Sequence, residues 1–158
     1  MKRTPMTLRG AEALRIELKK LKTEARPAVI KAIAEARGHG DLSENAEFHA
    51  AKERQSLLDL QIREIEDKVA RAQVIEVGKL SGDKVVFGAT VSLADGDTGD
   101  KVVYQIVGDH EAEPKNGKIS ISSPIARALI GKAEGDEVQV RTPTGVRTFD
   151  ILSVEYID

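Results

Sequence analysis

The sequence predicts a two-domain α+β protein: an antiparallel α-helical coiled-coil hairpin over residues 1–79, then a small α+β domain over residues 80–158. Three observations lead there. Residues 1–79 are rich in the helix formers Ala, Leu, Glu, Lys and Arg, and residues 80–158 in Val, Ile, Thr and Gly, which favour strands and turns. Two apolar stripes in the first half alternate steps of four and three residues, the period of a coiled-coil seam. Charge is also sorted along the chain. The first half holds 16 Lys+Arg against 13 Asp+Glu and the second 8 against 13, so the net charge of −2 is a cancellation.

The first helix is read from Leu8 to Arg37, roughly 45 Å at helical rise, with Thr7 as N-cap. Its stripe is Leu14, Leu18, Leu21, Ala25, Ala28 and Ala32. Pro27 lies inside it and predicts a kink or local break, because it lacks an N–H and its ring crowds the preceding turn. Alanines replace leucines beyond residue 25, which predicts a thin seam at the far end. The return helix carries Leu58, Ile62, Ile65, Val69 and Ala72. Periodicity alone leaves a structural or dimerising coiled coil open as the role of this half.

Between the helices the chain reverses near residues 38–49, and so does the charge. Residues 1–37 hold 10 basic and 4 acidic side chains; residues 38–51 hold Asp41, Glu44 and Glu47 and no Lys or Arg. The usual reading of a charge run is a solvated face. Gly38 and Gly40 suit a tight reversal, and Ser43 with Glu47 is a candidate cap for the second helix. Asp41 and Glu44 are three apart, so a helical turn brings their carboxylates together. Two hard oxygen donors suit Mg²⁺, but they form a weak site without further ligands. His39 and His49 invite a zinc site, which a glycine-flanked tip frames poorly. His110 sits between two acidic residues in a loop and reads as solvated.

The second half opens after a boundary near Gly78 and the linker-like Leu80-Ser81-Gly82-Asp83. Val85–Leu93 and Lys101–Val107 read as a hairpin across an Asp/Gly-rich turn; the aspartates there lack the rest of an EF-hand calcium loop. Ile119–Ile121 is a short strand. Ser123 then suits an N-cap, Pro124 the first helical position and Gly131 the stop. Val138–Arg141 and Val146–Tyr156 form a second hairpin across Pro143-Thr144-Gly145.

No cysteine is present, which excludes a disulfide scaffold and any Cys-ligated zinc site and makes the cytoplasm the expected location. No apolar run approaches the ~18 residues of a membrane span, and the basic start lacks the apolar region of a signal peptide.

Three segments resemble signatures of one family. Gly40-Asp41-Leu42-Ser43-Glu44-Asn45-Ala46-Glu47-Phe48-His49-Ala50-Ala51-Lys52-Glu53 resembles the tip signature of the Gre transcript cleavage factors. Met6-Thr7-Leu8-Arg9-Gly10-Ala11-Glu12 is similar to the family's opening, and Ser123-Pro124-Ile125-Ala126-Arg127-Ala128-Leu129-Ile130-Gly131-Lys132 to its second signature. The likeness covers nearly the whole chain in order. Phe48 stands where the family usually has Tyr, and Gly38 where relatives often carry a charge; neither departure touches Asp41 or Glu44.

The resemblance implies an FKBP-like fold for residues 80–158 and a partner, bacterial RNA polymerase. It implies that the hairpin enters the polymerase secondary channel and that Asp41 and Glu44 help hold a Mg²⁺ beside the polymerase's own metal, only within that complex. Two metals suit in-line hydrolysis of the backtracked transcript at its 3′ end. The chain is then a catalytic cofactor of polymerase and not itself an enzyme, with no small-molecule substrate and no membrane partner. Arg37 and Lys52 would face the RNA. Ser43 and Asn45 would support the tip, although capping and turn roles serve each equally well, and Phe48 reads as seam packing. Ser122, Ser123, Pro124 and Ile125 would dock on the channel rim. Two alternatives stay open: an inhibitory relative occupying the same channel, and a prolyl isomerase or chaperone with a coiled-coil arm, since fold does not imply function.

Overall fold

The structure is a computed structural model that describes residues 2–40 and 44–157. The chain forms two compact units, one built from Ala11–Ala72 and the other from Arg3–Gly10 together with the chain from Gln73 onward. Among the described residues no helix is long and apolar enough to cross a membrane.

The helical unit is the antiparallel hairpin that the stripes predict. Helix α1 spans Leu8–Lys20, α2 spans Arg26–Arg37 and α3 spans Ala46–Arg71. Thr7 caps α1, its hydroxyl accepting from the Gly10 N–H at 3.1 Å. Leu21–Ala25 is a π-helical turn, in which the Arg26 N–H donates to the Leu21 carbonyl five residues back. Pro27 falls in the first turn of α2. The wider turn relieves what proline does to an α-helix, namely the missing donor and the clash with the carbonyl four residues before it. A break near Pro27 is therefore present, one turn upstream of the ring.

The π turn moves the seam. It holds one more residue than an α turn, so positions beyond Ala25 are advanced by one. The buried residues of α2 are Val29, Ile33 and Ala36, while Ala28 is exposed and Ala32 half-buried. They pack on Ala51, Leu58 and Ile62, with Leu18, Leu21, Ala25 and Phe48 at the margins. The expected thin alanine seam is thus corrected: branched side chains fill it as far as Ile33. Stripes traced at constant period miss this shift. In α3, Leu58, Ile62 and Ile65 are buried as the spacing predicts.

The second unit is α+β. Five strands, β3 (Thr90–Asp95), β4 (Lys101–Val107), β5 (Lys118–Ser120), β6 (Glu137–Thr142) and β7 (Gly145–Glu155), form one sheet in the order β5-β4-β3-β7-β6. Neighbours run antiparallel except β4 and β5, which are parallel. Side chains alternate across the pleat, so Val91 and Leu93, Val138 and Val140, and Phe149 and Ile151 share one buried face. Helix α4 (Pro124–Leu129) adds Ala126 and Leu129 to that core. Leu152 is the extra residue of a bulge, because Ser92 faces Ser153 while Leu93 faces Ile151.

Two differences from the sequence reading concern strands. The expected strand Val85–Leu93 starts only at Thr90. Gly88 takes φ +89°, and a Cβ there would lie 2.6 Å from Val77, so the chain turns at this glycine and packs closely before the strand begins. Strands β1 (Thr4–Thr7) and β2 (Ala72–Ile75) pair with each other; of their residues the sequence predicts only Thr7, as a cap, and Ala72, as the last position of the seam.

Candidate functional site

Asp41 and Ser43, expected at the hairpin tip, lie outside the described residues. Glu44 is described and exposed, just before α3. The cap of α3 is Asn45 rather than the expected Ser43–Glu47 pair. Its Oδ1 accepts from the Phe48 N–H at 3.0 Å, and its Nδ2 donates to the Ala36 carbonyl at 2.5 Å. One amide thus satisfies a donor in the first turn of α3 and adds a second bond to the Ala36 carbonyl of α2, which also accepts from the His39 N–H at 3.1 Å. Glu47, freed from capping, sits 2.9 Å from His39 Nδ1 across the same helix ends.

Arg37 is exposed and lies over the Phe48 ring, 5.8 Å from its centroid, close enough for a cation–π contact. Phe48 is half-buried against the seam, and His49 meets its edge at 5.6 Å between centroids. Lys52 is exposed and donates to Gln55 Oε1 at 3.4 Å. The structure therefore gathers Arg37, Asn45, Phe48 and, close by, Glu44 at the tip end of the hairpin. Among the described residues no three His, Asp or Glu side chains group so as to hold a metal ion.

The second predicted surface lies in the sheet unit. Ser123 caps α4, its hydroxyl accepting from the Ala126 N–H at 3.3 Å, with Pro124 in the first turn as predicted. Pro124 and Ser122 are exposed and Ser123 half-buried, whereas Ile125 packs partly against the sheet core. Ser122 also belongs to a small polar cluster. Its hydroxyl donates to Asp109 Oδ1 at 2.8 Å, and the Ser120 hydroxyl donates to the same oxygen. These two bonds, Ser120 first, hold the Asp109 carboxyl below its usual range. Sequence reasoning did not connect Asp109 with residues 120–122, since only the parallel pairing of β4 and β5 makes them neighbours.

The aspartate-rich turn between β3 and β4 is a structural turn. Asp95 is buried; its Oδ1 accepts from the Asp97 and Thr98 N–H groups at 2.8 and 3.2 Å, and its Oδ2 from Arg147 at 2.6 Å. The Arg147 bond, followed by the two backbone bonds, lowers the Asp95 pKa. Arg147 in turn lies over the Phe149 ring at 5.0 Å.

Comparison with known proteins matches both units. Residues 4–74 match the family "Transcription elongation factor, N-terminal", and residues 80–156 match "Transcription elongation factor, GreA/GreB, C-term". The chain is 64% identical to transcription elongation factor GreA of Phenylobacterium zucineum over 99% of this chain and 100% of that protein. It is 63% identical to that of Caulobacter vibrioides over the same shares. Among solved structures, GreA factor homolog 1 of Thermus thermophilus is 28% identical over 98% of this chain and 99% of that one, with a TM-score of 0.44. On these two family matches and these two full-length likenesses, the chain belongs to the GreA/GreB family of transcription elongation factors.

Proposed function

We propose that this elongation factor binds bacterial RNA polymerase, passes its hairpin tip through the secondary channel, and stimulates Mg²⁺-dependent cleavage of a backtracked transcript at its 3′ end. The observation that carries the reading is Glu44: a carboxylate exposed at the start of α3, three residues after Asp41, where a basic arm gives way to an acidic turn. Asn45 supports it by lacing the end of α2 to the start of α3, so that Glu44 stands directly before a capped helix.

The donor set fits magnesium. Glu44 is a hard oxygen donor open to solvent, and Asp41 is a second in the sequence, fewer ligands than the ion needs alone. Asp41 and Glu44 would hold Mg²⁺ jointly with polymerase carboxylates. Bound there, the ion supplies Lewis acidity toward the scissile phosphate and its attacking water. The chain's own residues do the rest. Arg37, stacked on Phe48, and Lys52 would meet RNA phosphates, a sequence-independent contact that weakens with salt. Ser122, Ser123, Pro124 and Ile125 would dock on the channel rim. The Ser123 hydroxyl caps α4 and so fixes where the helix starts within this loop.

A stalled, backtracked elongation complex supplied with Mg²⁺ tests this. Adding the chain should shorten the RNA from its 3′ end. Asp41→Asn and Glu44→Gln should each remove nearly all of that activity while polymerase binding persists. Full cleavage with both replaced would refute the metal-tip mechanism, and RNA cleavage without polymerase would refute the cofactor role. Pro124→Arg should weaken polymerase binding; an unchanged affinity would remove this loop from the docking surface.

A further inference from the structure

The turn Gly108–Glu111, which follows β4, is closed by the Glu111 N–H donating to the Gly108 carbonyl at 2.9 Å, and it carries two carboxylates with separate tasks. Glu111 grips the start of the hairpin. Its Oε2 accepts from the Thr7 N–H at 3.1 Å and from the Gly108 N–H at 2.9 Å, and its Oε1 accepts from the Thr7 hydroxyl. Thr7 is buried, ends β1 and caps α1 through Gly10, so the carboxylate holds the residue from which α1 begins. Two glycines permit the approach: a Cβ at Gly10 would overlap the Glu111 carboxylate, and one at Gly108 would lie 2.5 Å from the Pro5 carbonyl oxygen. Asp109 meanwhile accepts from Ser120 and Ser122, directly before Ser123 and Pro124.

We propose that the Gly108–Glu111 turn is a positioning element for transcript cleavage, tying the root of the first hairpin helix to the loop that docks on polymerase. The inference rests on the reading that residues 122–125 dock and that the tip acts. Glu111 and Asp109 are positioning residues; they act through Thr7 and through Ser122. An ionised acceptor taking several hydrogen bonds holds its donors more firmly than a neutral one. A docked loop joined through one short turn to Thr7 then dictates where α1 starts, and small displacements of a reacting group are costly to rate.

The test separates binding from rate in the backtracked complex. Glu111→Gln and Gly10→Ala should leave the half-saturating concentration unchanged and lower the maximal cleavage rate by about tenfold or more. Asp109→Asn should raise the half-saturating concentration severalfold and leave the maximal rate at saturation intact. Gly10→Ala keeps the test sharp if Glu111→Gln fails to fold, because alanine is the better helix former and a purely local effect would strengthen α1. Wild-type maximal rates for both hairpin-root variants would overturn the proposal. Amide exchange in the chain alone gives a readout independent of polymerase: the Thr7 and Gly10 N–H groups should exchange at least tenfold faster in Glu111→Gln. Unchanged exchange overturns the proposal whatever polymerase does. Failure of the unaltered chain to stimulate cleavage overturns instead the functional reading on which it rests.

Discussion

Asn45 shows how much one side chain decides at the tip. Its oxygen satisfies the Phe48 N–H, and its nitrogen joins the His39 N–H on the Ala36 carbonyl. Asn45→Ala should therefore lower the stability of the hairpin by about 1–2 kcal/mol, the range of a lost cap, seen as an earlier helical melt by circular dichroism. Asn45→Asp should recover part of that loss, because the acceptor survives and the donor does not. Asp95 makes a prediction of another kind. Its pKa is lower in the folded chain, chiefly through Arg147, so its contribution to stability is present above the unfolded value near 3.9 and is lost as pH falls through the folded value below that. Asp95→Asn should flatten the acid limb of the unfolding curve below about pH 4. Local chemistry of this sort was partly legible. Thr7, Ser123 and Pro124 announce themselves because a cap needs only its own next three residues. The bonds of Glu111 to Thr7 and of Asp109 to Ser122 cross long stretches of chain and leave no trace in spacing.

At the scale of elements, the π turn Leu21–Ala25 is what the sequence reading lacked. Pro27 marks trouble in the helix, but proline says only that the regular ladder fails, not whether it kinks, breaks or widens. Widening adds a residue and rotates everything after it, so Val29 and Ile33 face α3 and Ala28 faces out. Paired substitutions check this. Ile33→Ala should cost the hairpin about 2 kcal/mol or more, as a buried aliphatic truncated to alanine does, while Ala28→Ser should stay within about 0.5 kcal/mol. Equal effects would return the seam to the constant-period stripe. Both hairpins of the sheet unit were legible because alternation and glycine-bearing turns are local signals. Strand β2 was not, since Ala72 continues the helical stripe and only pairing with β1 makes it extended.

At the scale of the molecule, two units with separate cores should unfold as two events. Calorimetry should show Ile33→Ala moving one transition and Ile151→Ala the other. Composition places a boundary near residue 79, yet Arg3–Gly10 keep company with the sheet unit. A fragment beginning at residue 80 lacks β1 and leaves the Glu111 carboxylate without the Thr7 donors. It should melt at least several degrees below the sheet transition of the intact chain, given what an abandoned charged acceptor costs a domain of this size. Sorting of charge, by contrast, was legible from the outset, because net charge needs no knowledge of pairing.

The five-residue turn at Leu21–Ala25 has one more consequence. Shedding its surplus residue would turn every position beyond Ala25 by roughly 100° about the helix axis and bring Ala28 and Ala32 to the seam in place of Val29 and Ile33. That exchange would trade two branched side chains for two methyl groups, so the packing beyond the turn holds it wide. The turn thus acts as a fixed angular offset within the arm, matching the leucine stripe before it to the valine–isoleucine stripe after it.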